Sequence, residues 1–562
     1  MSERTADAAR LAQARAWLRQ DPDAETRDEL AGIVTRAGSG DAAAIADLDD
    51  RFGTRLAFGT AGLRGELAAG PNRMNRVLVA QAAAGFAAYL AERAAPGTTP
   101  AVVIGYDGRK NSRVFAQDSA EIFAGAGLRA ILLPRLLPTP VLAFAVRHLG
   151  ADAGVMVTAS HNPPNDNGYK VYLGGADQGS QIVSPADGEI AAHIQRVADH
   201  GDVGTIPRSR DYETAAEEVV EAYAAATAAV APAPVGSGGL RWVYTAMHGV
   251  GWETFSRILG EAGYPAPWTV GEQRDPDPTF RTVSFPNPEE PGAMDLAFAK
   301  ARAMDAGLVI ANDPDADRLA VGIPDASAEG GWRRLTGNEV GLLLGWRAAR
   351  AHRDEPGAAL ACSLVSSPGL GAIAERYGLG FHETLTGFKW ISRAPGIVFG
   401  YEEALGYLVN PGTVRDKDGI SAAVALLGMA AEAHGRDATL ADLLDELADE
   451  IGHFASGQVS IRVDDVAVIA RIMAALRSAP PASFGATAVA SAEDLLAGGG
   501  DAPAGDVLRY RLAEGSRVIV RPSGTEPKLK VYIDARADSA AEASAAVAAL
   551  EDAVRGLLDA LS

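Results

Sequence analysis

The chain has 562 residues, 48% hydrophobic and 22% charged, and a formal net charge of −21. That length exceeds one ordinary core and predicts three or four domains, and the acidic balance argues against nucleic acid or an anionic membrane as a partner. A single cysteine, Cys362, excludes an internal disulfide framework and any multi-cysteine zinc site.

The opening residues, Met1-Ser2-Glu3-Arg4-Thr5, contain no apolar core of signal-peptide length. No run of about 18 apolar residues occurs, so no membrane span is expected and the cytoplasm is the expected location. Residues from about Ala6 to Asp50 read as helical, with Leu11, Ala14, Trp17 and Leu18 at helical spacing. Asp21-Pro22-Asp23 breaks that pattern and Ala24 restarts it. From Arg76 onward, helical stretches alternate with short apolar runs. Ala101–Gly105 reads as a buried strand, Glu121–Gly127 as the end of a helix, and Ala130–Leu133 as the next strand. This alternation predicts βαβ units and a mostly parallel sheet.

Three composition changes suggest boundaries. Ala231–Gly239 is rich in Pro and Gly and precedes a strand over Leu240–Thr245. Leu335–Asn338 precedes a helix, and Gly452–Gln458 precedes a strand over Val459–Val463. Pro481–Asp506 reads as a loop-rich or irregular stretch. The expected division is a helical extension over 1–50 and domains over 51–235, 236–335, 336–456 and 457–562.

Four apolar runs each end in an unusual polar loop, and ligands gather beyond the carboxyl ends of strands in open α/β sheets. Four such loops suggest one cleft lined by all of them. Gly154–Val157 leads into Thr158-Ala159-Ser160-His161-Asn162-Pro163, which offers a hydroxyl nucleophile in a fixed turn, with Lys170 downstream as a charge partner. Gly307–Ala311 leads into a loop with Asp313, Asp315 and Asp317 at alternate positions. On an extended segment these carboxylates share one face, and three like charges there call for a hard cation such as magnesium or calcium. A calcium EF-hand loop wants Gly and Glu where Arg318 and Pro324 stand, so that reading is excluded. Ile397–Gly400 leads into Tyr401-Glu402-Glu403-Ala404, whose paired carboxylates suit sugar hydroxyls or acid–base work. Val518–Val520 leads into Arg521-Pro522-Ser523-Gly524-Thr525, with the make-up of an anion cradle. Neither a Gly-x-Gly-x-x-Gly after a strand nor a P-loop pattern is found.

In this order the motifs resemble those of the α-D-phosphohexomutase family, the phosphoglucomutases and phosphomannomutases, from about Phe58 to Tyr532. Phe58-Gly59-Thr60-Ala61-Gly62-Leu63-Arg64-Gly65 is similar to the family's N-terminal signature, and Thr386-Gly387-Phe388-Lys389 to its basic turn. Asn167–Tyr172 and Arg415-Asp416-Lys417-Asp418-Gly419 are closest to its longer, phosphoglucomutase and phosphopentomutase-like branch. The resemblance implies an α/β fold: three similar α/β domains with mixed, mostly parallel sheets, and a smaller C-terminal α+β domain, around one central cleft.

It also implies a mutase that moves phosphate between the 1- and 6-positions of a sugar, glucose first, through a phosphoserine and a bisphosphate. One Mg2+ is implied on Ser160, Asp313, Asp315 and Asp317, with Arg318 as charge support, covalent phosphate on Ser160, and a sugar bisphosphate as activator. Ser160, His161, Lys170, Lys389 and Arg64 fall in the catalytic group. Glu402 and Glu403 would hold the sugar; Arg521, Ser523, Gly524 and Thr525 would hold the non-reacting phosphate. Arg64 would face the reacting phosphate; Arg109, in Asp107-Gly108-Arg109-Lys110, is a second candidate for that role and is equally readable as a surface turn residue. The implied partners are small-molecule sugar phosphates, without nucleic acid or membrane, for a monomer or dimer. Ala404 stands where the hexose-specific pattern has serine, which keeps a pentose or mannose substrate open. A serine-phosphate phosphatase and an inactive binding homologue are the readings from other classes.

Overall fold

A computed structural model describes residues 3–463, 465–496, 505–522 and 528–561. The first sheet contains β1 (Leu63–Glu66), β2 (Ala101–Tyr106), β3 (Arg129–Leu132), β4 (Ala153–Val157), β5 (Asp166–Leu173), β6 (Ser180–Gln181) and β7 (Glu213–Thr214), in the order β1-β5-β4-β2-β3-β7 with β6 beside β5. β4, β2 and β3 run parallel, and β5 returns antiparallel beside β4. β2 is buried along its whole length, which is why it reads as a continuous apolar run.

The second sheet holds β8 (Trp242–Thr245), β9 (Trp268–Thr269), β10 (Leu308–Asn312), β11 (Leu319–Pro324) and β12 (Trp332–Arg334), in the order β12-β11-β10-β8-β9. The third holds β13 (Ala359–Ser363), β14 (Gly380–Thr384), β15 (Ile397–Glu402) and β16 (Gly406–Leu408), in the order β14-β13-β15-β16. All three repeat one device. A strand paired in parallel on one side (β4, β10, β15) turns through a polar loop into an antiparallel neighbour (β5, β11, β16). The serine, aspartate and glutamate loops therefore occupy equivalent positions in three sheets of one design.

The fourth sheet holds β17 (His453–Arg462), β18 (Ser483–Phe484), β19 (Thr487–Asp494), β20 (Leu508–Leu512), β21 (Arg517–Pro522) and β22 (Lys528–Ala537), in the order β17-β22-β21-β20-β19-β18. It is antiparallel throughout, and the helices Val466–Ser478 and Ala540–Leu561 contribute to its core.

Three details differ from the sequence reading. The stretch after Pro481 was expected to be irregular, yet it forms β18 and β19 around Gly485, which takes φ +58°. Its small residues carry little β propensity, and pairing with β20 supplies the order. β17 begins at His453 rather than Val459, because β22 pairs with it over its whole length. The N-terminal helices break at Asp21–Asp23 as expected, and again around Gly40, where Asp41 caps the helix Ala42–Gly53. Trp17 and Phe52 meet edge to face at 6.0 Å within the core of the first sheet, so this extension is packed onto the α/β body.

The chain groups into two compact units, Met1–Arg333 with Asn410–Ala431, and Arg334–Val409 with Glu432–Ser562. No described helix is long and apolar enough to cross a membrane.

Candidate active site

In the first unit, the loop between β4 and β5 turns sharply at Ser160. Its backbone takes φ +50°, a region costly for residues with a Cβ. The Ser160 N–H donates to Thr158 Oγ1 at 2.8 Å, and the Asn162 N–H closes the turn on Ala159 O at 3.0 Å. The loop leaves the sheet, so its carbonyls need other donors. Arg109 supplies them. Its guanidinium donates to Ser160 O and Asn162 O at 2.6 Å each, to Pro163 O at 2.8 Å and to Asp166 O at 3.1 Å. Arg109 is buried, lies over the Phe280 ring at 4.8 Å and is flanked by Asp107 at 3.6 Å, which corrects its reading as a surface turn residue.

A rigid fork of donors meets four carbonyls here, a task a point charge cannot copy. Arg109→Lys is therefore expected to keep the charge beside Asp107 but loosen the serine loop, lowering kcat by about 10- to 100-fold with a small change in KM. Steady-state kinetics check this; an unchanged kcat contradicts it.

The aspartate loop was expected to be extended, and it is a tight turn instead. The Ala316 N–H donates to Asp313 O at 2.8 Å and Ala316 sits at φ +56°. The turn gathers the carboxylates of Asp313, Asp315 and Asp317, all fully buried, so that one oxygen of each lies within 4.8 Å of the others. Lys170 Nζ donates to Asp315 Oδ2 and Asp317 Oδ2 at 2.8 Å each, and Thr139 Oγ1 donates to Asp315 Oδ2 at 2.6 Å. Lys417 Nζ lies 3.3 Å from Asp317, and Arg318 Nε lies 4.0 Å from both Asp313 and Asp317. Ser160 Oγ donates to Asp313 Oδ2 at 2.8 Å, so the hydroxyl and the acidic cluster form one site.

Burial and the two neighbouring carboxylates push Asp313 well above the usual carboxylate range. Burial would also raise Asp317, but Lys170, Lys417 and Arg318 outweigh it and hold it below that range. Two buried oxygens, Asp315 Oδ1 and Asp317 Oδ1, accept no hydrogen bond. Buried acceptors left bare beside three convergent carboxylates fit a hard, oxygen-seeking divalent cation.

His161 Nδ1 lies 3.2 Å from Ser160 Oγ, and burial together with Arg318 and Arg64 pushes this imidazole well below its ordinary range. Arg64, on β1, donates to Asn162 Oδ1 at 3.2 Å and so belongs to the serine loop's surroundings. Lys417 was not singled out from sequence, although the charged run Arg415–Asp418 was the available signal. The close approach that places it is visible at Gly419, where a Cβ would lie 2.1 Å from Arg318 O. Beside it, buried Asp418 caps the helix Gly419–His434, accepting from Ile420 N at 3.1 Å, Ser421 N at 3.0 Å and the Tyr223 hydroxyl at 2.9 Å.

Burial raises Asp418 from its ordinary 3.8 to about 6 despite these donors. The folded protein thus holds the proton more tightly than the unfolded chain. The resulting stability is complete below about pH 4 and is lost as pH rises through about 6. Asp418→Asn keeps an acceptor without the charge and is expected to gain on the wild type by up to about 3 kcal/mol between pH 4 and pH 8. Urea unfolding at both pH values checks the sign; a gap that does not change with pH contradicts it.

In the second unit, Glu402 ends β15 and is buried, and Glu403 follows it. Glu403 Oε2 accepts from Ser363 Oγ at 3.1 Å and Ser366 Oγ at 3.2 Å. Lys389 lies on the short helix Phe388–Ile391, and Arg521 Nη1 donates to Thr386 Oγ1 at 2.6 Å, which joins the basic turn to the end of β21. Ser523, Gly524 and Thr525 lie outside the described residues.

Comparison with known proteins finds the phosphoglucomutase/phosphomannomutase family along most of the chain. Its alpha/beta/alpha domain I matches residues 55–200, domain II 221–326, domain III 336–451 and the C-terminal domain 461–552. A Haemophilus influenzae protein named "probable phosphomannomutase" is 53% identical over 485 residues, covering 86% of this chain and 98% of that protein. Human phosphopentomutase is 33% identical over 576 residues, covering 94% of this chain and 91% of that one. A Staphylococcus epidermidis phosphoglucomutase is 34% identical over 511 residues, covering 86% and 91%. The crystal structure of a phosphoglucomutase/phosphomannomutase family protein from Burkholderia thailandensis shares the fold, with a TM-score of 0.69 at 21% identity over 90% of this chain and 98% of that one. Sequence and fold agree that this chain belongs to the phosphoglucomutase/phosphomannomutase family, enzymes that shift a phosphoryl group from one position of a sugar to another.

Proposed function

We propose that this protein is a phosphosugar mutase that interconverts the 1- and 6-phosphates of glucose, with Ser160 carrying the phosphoryl group between them. The observation behind this reading is the buried Ser160 hydroxyl, held in a strained turn and hydrogen-bonded to Asp313 in a cluster with bare carboxylate oxygens. Asp313, Asp315 and Asp317 would hold Mg2+, which, when bound with Ser160, offsets the charge of a phosphoserine. In the resting enzyme Ser160 is phosphorylated. A free sugar hydroxyl attacks the phosphorus, its O–P bond forms as the Ser160 Oγ–P bond breaks, and a sugar bisphosphate results. The sugar then turns round and returns its other phosphate to Ser160.

Such transfer depends on positioning and charge more than on covalent chemistry. Arg109 and Thr158 fix the donor oxygen, and Arg64 and Arg318 supply positive charge around it. His161, whose Nδ1 lies 3.2 Å from Ser160 Oγ, would take the proton of the attacking hydroxyl and pass it to the Ser160 oxygen as the Oγ–P bond breaks, whereas Lys170 is engaged between two carboxylates. Glu402 and Glu403 would grip sugar hydroxyls in either orientation, and Arg521, with Ser523, Gly524 and Thr525, would hold the phosphate that does not react. The sugar bisphosphate would double as activator by restoring any Ser160 that has lost its phosphate.

Ala404 favours a second reading, a pentose substrate, because it removes a hydroxyl from the sugar loop. Turnover of glucose, mannose and ribose 1-phosphates at equal concentration tests the choice. The proposal expects the highest kcat/KM with glucose; a preference for ribose transfers the assignment to a phosphopentomutase. Release of free phosphate without isomerisation contradicts a mutase altogether.

A further inference from the structure

One buried arginine outside the phosphate chemistry reaches the sugar loop. Arg517 opens β21, and its side chain is 5% exposed. Nη1 pairs with Glu383 Oε1 at 2.9 Å, Nε pairs with Asp534 Oδ2 at 2.8 Å, and Nη2 donates to the carbonyl of Ser366. Glu383 lies on β14 of the third sheet and Asp534 on β22 of the fourth, so one cation ties the two sheets together. Ser366 is fully buried, its hydroxyl donates to Glu403 Oε2, and it accepts the Glu403 N–H at 3.1 Å. Backbone grip on one side of Ser366 and carboxylate grip on the other make it a rigid link between Arg517 and Glu403.

We propose that Arg517 is a positioning residue for the reaction: through Ser366 it sets the orientation of Glu403, so that the seating of the C-terminal sheet determines how the sugar is held. This rests on the reading of Glu403 as a sugar-binding carboxylate. The arrangement follows from side-chain chemistry. A buried guanidinium divided between two carboxylates still has donors left over, and the remaining pair of N–H bonds on Nη2 is directed by the plane of the fork. The Glu403 carboxylate cannot swing away without stripping two hydroxyls of their acceptor.

The test is a double-mutant cycle on the full chain, with glucose 1-phosphate as substrate. Arg517→Lys keeps the charge between Glu383 and Asp534 but loses the fork. It is expected to raise KM several-fold and to lower kcat/KM about 10-fold, and to have less than about a 2-fold effect in a Glu403→Gln background. Ser366→Ala leaves every charge in place and is expected to show the same loss and the same disappearance, so the test holds even where Arg517→Lys folds poorly. If both substitutions cost the same factor with and without Glu403, the relay is overturned while the role of Glu403 stands. If Glu403→Gln alone leaves kcat/KM unchanged, the sugar-binding reading fails and the relay falls with it.

Discussion

Ser160→Ala is expected to reduce mutase turnover by on the order of 10⁴-fold or more, with the fold retained. The side chain removed is the proposed phosphoryl carrier, and its neighbours cannot substitute for it. Lys170 is held between two carboxylates, and the three aspartates are the proposed cation ligands. Losses of this size follow removal of a covalent nucleophile in enzymes whose residues act as a unit. Stability changes little by comparison. Alanine and serine meet a similar steric penalty at φ +50°, and the hydrogen bond to Asp313 is worth about 1 kcal/mol. Kinetics beside thermal unfolding separate the two effects. A variant that unfolds at the wild-type temperature and still turns over at a comparable rate contradicts the assignment.

Removal of divalent cations is expected to abolish turnover and to lower the unfolding temperature, and added Mg2+ is expected to restore both. The physical cause is the set of buried carboxylates, two of whose oxygens have no donor. A ligand that binds only the folded state stabilises it by about 2.7 kcal/mol at 100 times its dissociation constant. Asp315→Asn and Asp317→Asn each remove a ligand charge and should lose most of the Mg2+-dependent shift. Lys170 and Lys417 already neutralise part of the cluster, so the cation-free protein is expected to remain folded. Differential scanning calorimetry with chelator and with Mg2+ makes the comparison. An unfolding temperature and a rate that both ignore Mg2+ contradict a metal site here.

Much of this site is legible in the sequence because strand and loop signals coincide. Apolar runs mark β4, β10 and β15, and each polar loop after them carries a chemically distinct cluster. Periodicity cannot give backbone conformation, and so the aspartate loop was expected to be extended although it is a turn through Ala316. Nor can it give partners distant in sequence. Arg109 lies more than fifty residues before the carbonyls it binds at Ser160, Asn162 and Pro163, and in isolation Asp107-Gly108-Arg109 reads as a surface turn. Lys417 lies a hundred residues after Asp317 and is brought there by the close packing of Gly419 on Arg318. Arg517 is similar: nothing in the local sequence shows the partly buried Glu383 and buried Asp534 that pair with it from two different sheets.

Intact-protein mass spectrometry of the purified enzyme tests the central claim most directly. The account predicts a species heavier by one phosphoryl group, mapped to Ser160, that disappears on incubation with glucose 1-phosphate as glucose bisphosphate forms, and that is absent from Ser160→Ala. A phosphoryl group on another residue, or one on Ser160 that no sugar phosphate discharges, would contradict it.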